Sequence, residues 1–274
     1  MPELPEVETI VRALQNGGRN GPALPGERVE SVRLLWQRTL AEPGVAEFLA
    51  RLPGQTVQRI SRRAKLIQIQ LDRDTLLIHL RMSGDLRVEP DAAPSAPHDR
   101  LLIHFASGLR LAFNDTRKFG RAWLVSDPSS LTAAYGPEPL DKTFTPADFY
   151  TRLHASRRQL KPLLLDQGFL AGLGNIYTDE ALHLAGLHPL TPSDRLDEAD
   201  AARLLEAIRS VLNEGIRRNG ASIDWVYRGG DFQNYFRVYG RTGQPCPVCG
   251  NPIQRTVIGQ RSTHFCPICQ SPGV

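Results

Sequence analysis

Four cysteines near the C-terminus constrain the fold of this chain more than any other feature. They form two Cys-x-x-Cys pairs, Cys246 with Cys249 and Cys266 with Cys269, separated by sixteen residues. Two such pairs can complete a tetrahedral thiolate site, and the residues between them can form one β-hairpin. A redox Cys-x-x-Cys needs no second copy, and disulfides are disfavoured in a reducing compartment. The spacing predicts a zinc ribbon with one structural Zn²⁺, a closed site that leaves no position for substrate.

Length and composition indicate an ordinary globular protein that could bind a polyanion. The 274 residues suggest about two domains, and 41% of them are hydrophobic. The net charge of +4 permits a nucleic-acid partner without requiring one. No apolar segment is long enough to span a bilayer, and the acidic N-terminus differs from the basic start of a signal peptide. We therefore expect a cytoplasmic protein with no membrane partner.

The distribution of apolar residues predicts an α+β multidomain protein. Spaced apolar residues after Pro5 predict a leading helix that ends at the glycines 17–18. Short alternating segments then predict an N-terminal β-sandwich in a domain 1–125, with strands at 28–35, 56–60, 65–71, 75–80, 101–105 and 109–113. A proline-rich linker at 126–146 precedes a helical domain 147–236, with helices at 147–153, 158–166, 176–184 and 197–218 and a mobile loop at 219–236. The ribbon domain covers 237–274.

The first residues carry a possible nucleophile. If Met1 is removed, Pro2 presents a free secondary amine, and an α-amino group has a pKa of about 7.7–8.0. Attack on an aldehyde carbon would give an iminium with no N–H to lose, which acts as an electron sink. Glu3 and Glu6 lie beside it as candidate acid/base groups. Pro5 and Glu6 are equally typical of an ordinary helix start, so this segment alone does not decide between the two.

Eight segments in order along the chain resemble bacterial formamidopyrimidine-DNA glycosylases. They are PELPEVET at 2–9, RRAK at 62–65, HLRMSG at 79–84, DTRKFG at 115–120, GPEPL at 136–140, GLGNIY at 172–177, VYGR at 238–241 and the four-cysteine ribbon. The resemblance implies a β-sandwich domain with a leading helix, a helical domain with a helix–two-turn–helix motif and a C-terminal zinc finger. It also implies duplex DNA with oxidised purines or abasic sites as the partner, bound in a cleft by a monomer.

The family's roles transfer to matching positions of this chain. Pro2 would attack C1′ of the damaged nucleotide, Glu3 would act as general acid/base, Lys65 would assist β-elimination and Arg261 would assist δ-elimination. Met82, Arg117 and Phe119 match the residues that fill the gap left by a flipped nucleotide. Further DNA contacts are implied for His79, His98, Lys161, Asn175 and Tyr239. By composition alone Met82 and Phe119 would more often be core residues, and Asn175 fits a helix N-cap.

Two other functions remain open at the level of sequence. An endonuclease VIII type of enzyme shares the nucleophile and ribbon but prefers oxidised pyrimidines. Leu4, Arg117 and Phe119 favour the purine type, whereas the stretch 220–232 looks shorter than the usual loop over the flipped base. A non-catalytic zinc-ribbon DNA-binding protein would need no free Pro2, Glu3 or Lys65.

Overall fold

The computed structural model describes residues 1–18, 21–222 and 229–271, and these divide into two compact units. The first unit is Met1–Ala133 with Gly220–Gly230, and the second is Ala134–Asn219 with Asp231–Val274. The segment Gly220–Gly230 therefore groups with the first unit, although it lies within the range 147–236 predicted as the helical domain.

The described part of the first unit contains two β-sheets, three helices and one 3₁₀ turn. Helices α1, α2 and α3 are Leu4–Asn16, Val45–Arg51 and Ser129–Thr132, and the 3₁₀ turn is Gln37–Thr39. The strands β1 to β9 are Val29–Leu34, Leu40–Glu42, Arg59–Arg63, Leu66–Gln70, Thr75–His79, Gly84–Pro90, Asp99–Phe105, Leu109–Asp115 and Arg121–Val125. One sheet has the order β1-β7-β8-β6 and the other the order β2-β9-β5-β4-β3. Within the second sheet β2 runs parallel to β9.

Both sheets contribute to a single hydrophobic core, which confirms the predicted β-sandwich. Alternation along β6 buries Leu86 and Val88, because successive side chains of a strand point to opposite faces. Ile67 and Ile78 of the other sheet belong to the same core cluster. Helix α1 packs on β3 and β4 and adds Ile10, among others, to this core. The amphipathic spacing of α1 thus fixes the N-terminus to the sandwich.

The second unit is helical and ends in a two-stranded ribbon. Helices α4 to α7 are Pro146–His154, Leu160–Leu164, Asn175–Ala185 and Glu198–Arg217, and strands β10 and β11 are Gln254–Ile258 and Arg261–Phe265. Between α5 and α6 the chain makes two tight turns that the Gln167 side chain holds. Its Nε2 donates a hydrogen bond to Leu173 O, and its Oε1 accepts one from Gly172 N. This is the implied helix–two-turn–helix motif.

Several predicted boundaries need correction. The predicted linker contains α3, and β2, β6, β9 and α2 were not predicted. The predicted strand at 56–60 begins later, as β3. Part of the predicted mobile loop is a 3₁₀ helix, Phe232–Tyr235, because Phe232 is buried and stacks on Tyr177 with ring centroids 5.2 Å apart. Residues 223–228 of that loop lie outside the described residues.

Candidate active site and DNA-contact residues

The N-terminal segment is held by a reciprocal capping box at the start of α1. Glu3 is the N-cap residue; its side chain accepts from the Glu6 backbone N–H, and its own N–H donates to Glu6 Oε2 at 2.7 Å. Both carboxylates are 2% exposed. Met1 is 45% exposed and Pro2 is buried. The helix start and the possible reactive centre are therefore the same structure, since the cap orients the residue that follows Pro2.

Glu6 also anchors the segment 220–230. Its Oε1 accepts a hydrogen bond from Ala221 N at 2.7 Å. Gly220 has φ +79°, and a Cβ there would lie 2.6 Å from the same oxygen, so a side chain at this position would displace the carboxylate. One buried carboxylate thus fixes both the backbone next to Pro2 and the first residues of this segment. Ser222 joins the two described ends of this segment: its Oγ donates to Gly230 O and accepts from Gly229 N, each at 2.9 Å.

Lys65 lies in the two-residue turn between β3 and β4 and is 5% exposed. Arg62 supports this turn, since Nη1 donates to Ala64 O at 3.0 Å and Nε to Glu8 Oε2 at 3.0 Å. Although burial opposes it, hydrogen bonds from Arg12 and Arg62 lower the pKa of Glu8. Glu8 therefore stays charged and ties the turn to α1, the helix that begins beside Pro2.

His79 ends β5 and is kept neutral. Burial, with the positive charges of Arg81 and Lys65, lowers the pKa of His79 to about 3. Its Nδ1 accepts from Arg81 N at 3.0 Å. The proton of the neutral ring is therefore on Nε2, so this residue could donate one hydrogen bond but carries no charge.

A clamp joins the turn that carries Met82 to the turn that carries Arg117 and Phe119. Ser83 Oγ donates to Asp115 Oδ1. Arg117 N donates to Ser83 Oγ at 3.0 Å, and Gly120 N donates to Asp115 Oδ2 at 2.7 Å. Two buried side chains, Ser83 and Asp115, therefore hold the ends of both turns together.

The residues on these turns are not core residues. Phe119 is 50% exposed, Arg117 is exposed and Met82 is half-buried. The Arg117 guanidinium lies 5.2 Å from the centroid of the Phe119 ring. Lys118, at φ +61°, places its ammonium 4.1 Å from the centroid of Trp36, which fixes the turn from its other side. Arg117 and Phe119 are thus presented together on a restrained turn.

His98 lies at the end of a fastened loop before β7. It is exposed, at φ +76°, with its Nδ1 3.2 Å from Arg100 Nη2. The buried Asp99 accepts from Ala96 N and from Asn114 Nδ2, each at 2.8 Å. The loop is ordered by these contacts, so the accessible imidazole has a defined position.

In the second unit Lys161, a predicted DNA contact, forms a buried ion pair. Its side chain is fully buried, and the ammonium is ion-paired with Asp179 and donates to Asn175 O at 3.2 Å. An ammonium enclosed in this way supports the first turn of α6 from below and does not present its charge at the surface. Asp179 also accepts from His264 N at 3.0 Å, which links α6 to β11.

Replacing Lys161 by methionine is expected to lower the free energy of unfolding by about 3–5 kcal/mol, because it leaves the Asp179 carboxylate buried without its cation. Urea unfolding of the full chain measures this. The double variant Lys161→Met/Asp179→Leu is the control and should lose less, since both charges are gone. If the free energy of unfolding of Lys161→Met lies within about 1 kcal/mol of the wild-type value, which is the contribution of an exposed ion pair, the structural role is contradicted.

Asn175 is the first residue of α6, and the N-cap is Gly174, so its prediction as an N-cap was wrong by one position. Its Nδ2 donates to Ser262 O at 2.9 Å, next to the exposed Arg261. Arg261 begins β11 directly after a two-residue turn in which Gly259 and Gln260 both have positive φ. Such a turn matches the twist of a hairpin. The start of α6 therefore fixes the ribbon beside Arg261.

Tyr239 is half-buried and belongs to a segment held by α6. The buried Glu180 carboxylate accepts the backbone N–H groups of Arg237, Val238 and Tyr239 at 2.8 to 3.0 Å. The Tyr239 ring packs edge-on against His264, with centroids 5.0 Å apart. The Glu180 carboxylate thus accepts the backbone hydrogen bonds that a neighbouring strand would otherwise accept from the segment leading into the ribbon.

The four cysteines lie together and fit one tetrahedral metal ion. Their sulfurs all lie within 4.8 Å of one another. Cys246 and Cys269 are 3.8 Å apart and Cys249 and Cys266 3.4 Å apart, measured between Sγ atoms. A zinc ion with Zn–S bonds of about 2.3 Å needs S–S separations of about 3.8 Å. The predicted site for one structural Zn²⁺ is confirmed.

Comparisons with known proteins agree with this architecture. Three family models match: the formamidopyrimidine-DNA glycosylase N-terminal domain over residues 1–122, the H2TH domain of the same proteins over 135–226, and the zinc finger found in FPG and IleRS over 243–272. The chain belongs to the formamidopyrimidine-DNA glycosylase family.

Individual relatives cover almost the whole chain. It is 46% identical to a formamidopyrimidine-DNA glycosylase of Chloroflexus aggregans over 98% of both proteins, and 40% identical to that of Geobacillus kaustophilus over 98% of this chain and 100% of the relative. Its fold matches Lactococcus lactis Fpg (MutM) in complex with DNA containing N7-benzyl-Fapy-dG, with a TM-score of 0.91, 38% identity and coverage of 98% and 100%. A MutM complex with DNA containing carbocyclic 8-oxo-G matches with a TM-score of 0.90, 37% identity and the same coverage.

Among the residues that support the site, Glu6 was predicted only as an acid/base candidate, although Glu3 and Glu6 have the spacing of a capping box. Ser83, Asp115 and Asp179 gave no local signal, since their partners are distant in sequence.

No helix among the described residues is long and apolar enough to cross a membrane.

Proposed function

We propose that this protein is a bifunctional DNA glycosylase and abasic-site lyase that removes oxidised purines, such as 8-oxoguanine and formamidopyrimidines, from duplex DNA. The observation that carries the proposal is that the buried carboxylates of Glu3 and Glu6 fix the backbone beside Pro2 at the N-terminus. Family membership and the solved complexes of relatives with lesion-containing DNA support it. We expect it to act as a monomer on the nucleoid in the cytoplasm.

The proposed reaction begins once Met1 has been removed. The Pro2 nitrogen forms a bond to C1′ of the damaged nucleotide while the bond to the base breaks, and the base leaves with a proton. We assign Glu3 to protonate O4′ as the C1′–O4′ bond breaks and the sugar ring opens to the iminium. The resulting iminium acidifies the C2′ protons; loss of one expels the 3′ phosphate, and a second elimination expels the 5′ phosphate. We assign Lys65 to the first elimination and Arg261 to the second.

A glycosylase must take its target nucleotide out of the stack, at a cost of a few kcal/mol. The exposed Phe119, with Arg117 and Met82, supplies side chains of the kind that fill the resulting gap. His79, His98, Asn175 and Tyr239 remain proposed DNA contacts. For Lys161 we propose a positioning role, because its ammonium is buried against Asp179.

Borohydride trapping tests this function. We expect a covalent protein–DNA adduct with duplex containing 8-oxoguanine opposite cytosine. Trapping only with oxidised pyrimidines would favour the endonuclease VIII type. Absence of an adduct with every oxidised or abasic duplex would favour a DNA-binding protein without catalysis.

The clamp between the two turns should affect excision of a damaged base more than cleavage at an existing abasic site. Replacing Asp115 by alanine leaves Ser83 Oγ and the Gly120 N–H without their acceptor, and we expect excision of 8-oxoguanine to fall about tenfold or more, as for misplaced groups in a site. Cleavage of a duplex with a preformed abasic site should fall less, because that nucleotide is easier to extrude. Single-turnover rates on both duplexes measure the difference.

Asp74→Ala is the matched control for the clamp variant, since Asp74 is also a buried carboxylate of the first unit, and the side chains that donate to it, Arg51 and Gln55, are not proposed site residues. An equal loss of both activities in Asp115→Ala, or the same ratio in Asp74→Ala, would contradict a specific role for the clamp.

A further inference from the structure

Helix α6 buries polar side chains that need partners. Asp179, Glu180 and His183 are at most 4% exposed. The two carboxylates bind Lys161, His264 and the backbone that leads into the ribbon, as described above. The third residue, His183, plays no part in the proposed reaction.

His183 lies against the metal site. Its Nε2 is 3.4 Å from Cys246 Sγ, and both residues are buried. Asn175, Asp179 and His183 follow one another at intervals of four, so they form one stripe of the helix. The first two contact Ser262 and His264, and the third contacts Cys246. These three side chains of α6 therefore contact the ribbon both on strand β11 and at its first cysteine.

The chemistry of the pair fixes the direction of this hydrogen bond. A cysteine binds zinc as a thiolate, which can only accept hydrogen bonds. The hydrogen must then be on Nε2. The other ring nitrogen agrees, because His183 Nδ1 is buried and makes no hydrogen bond with any of the described residues. A proton on Nδ1 would leave a buried donor unsatisfied and set the Nε2 lone pair against the thiolate.

We propose that His183 is an outer-shell residue of the zinc site, whose Nε2–H donates to the Cys246 thiolate and joins the metal to helix α6. Four sulfurs complete the tetrahedron, so the imidazole acts through Cys246 and not as a metal ligand. Val248 N, also 3.4 Å from this sulfur, is a second donor.

Zinc affinity of the full-length protein tests this proposal without reference to activity on DNA. We expect His183→Leu to weaken zinc binding about tenfold in competition with a chromophoric chelator, as other outer-shell changes do. His183→Gln can still offer an N–H and should recover part of that loss. His188→Leu is the control, because His188 is also buried but its Nδ1 accepts a hydrogen bond from Leu190 N at 3.2 Å, whereas the His183 ring lies against a sulfur. Equal affinities for wild type, His183→Leu and His183→Gln would overturn the proposal.

A direct measurement covers the case in which a variant fails to fold. In wild-type protein with histidine labelled by ¹⁵N and zinc replaced by spin-active cadmium, we expect scalar coupling between the metal and the Nε2 proton of His183. A ring protonated on Nδ1 alone would refute the proposal even if the enzyme removes 8-oxoguanine as proposed. Conversely, the coupling would stand even if no DNA substrate were found.

Discussion

Pro2→Gly is expected to slow both borohydride trapping on 8-oxoguanine duplex and strand cleavage by roughly 100-fold or more, the scale on which loss of a nucleophile is felt. Glycine still offers an α-amino group, but a primary one, whose imine can lose its proton and so ceases to be a fixed cation. It also lacks the ring that occupies the buried position of Pro2 beside the Glu3 and Glu6 capping box. Single-turnover cleavage and trapping, with the DNA affinity measured separately, separate chemistry from binding.

Two controls sharpen this result. Pro5→Ala removes a proline from the first turn of α1 and leaves Pro2 in place, so trapping should persist. Protein that retains Met1 should not trap at all, because the Pro2 nitrogen is then an amide; intact mass identifies each form. Full-rate trapping by either Pro2→Gly or the Met1-retaining form would rule out Pro2 as the nucleophile.

Removal of zinc is expected to unfold the ribbon and to weaken DNA binding. The apolar cluster of this region is small: Val238, Cys246, Ile253 and Cys266, with Cys269 packed against it. Such a core cannot stabilise the hairpin alone, whereas zinc bound by four thiolates contributes apparent binding energies of about 10–16 kcal/mol in zinc-finger peptides. Without it Arg261 loses its defined position on β11. Fluorescence anisotropy with verified metal-free protein measures the affinity.

The salt dependence of binding shows whether Arg261 carries the effect. Loss of one phosphate contact lowers the slope of log K against log salt by about 1. We expect this change both in Arg261→Ala and on zinc removal, with a smaller further loss when zinc is removed from the variant. Unchanged affinity and slope in metal-free protein would contradict a role for the ribbon in DNA binding.

Local patterns in the sequence predicted the elements whose causes are local. The spacing of apolar residues predicted α1, α6 and α7, and two strand-like segments on either side of the turn at 106–108 predicted the hairpin of β7 and β8. The cysteine spacing predicted the metal site, because Cys-x-x-Cys geometry depends on few neighbouring residues. By contrast, β2 and α2 escaped prediction, since a three-residue strand and a seven-residue helix are too short for a periodic signal.

The candidate site shows the same division. The resemblance named Pro2, Glu3, Met82, Arg117 and Phe119 without placing them. Lys161 was predicted as a DNA contact, and only the structure shows that its ammonium is buried against Asp179, which is the basis of the positioning role that we propose. A lysine in a sequence carries no mark of whether its ammonium meets solvent or a carboxylate eighteen residues away.

By itself the sequence determined the family and the zinc ligands and predicted the chemistry of the N-terminus, because these depend on residue types at fixed short spacings. Only the tertiary structure shows how the site is held. Glu6 is hydrogen-bonded to Ala221, and Ser83 to Asp115. Helix α6 contacts the ribbon through Asp179 and His183. Each of these contacts joins segments that are far apart in the chain. Their pairing follows from the packing of whole elements, which brings buried polar groups within reach of the partners they require.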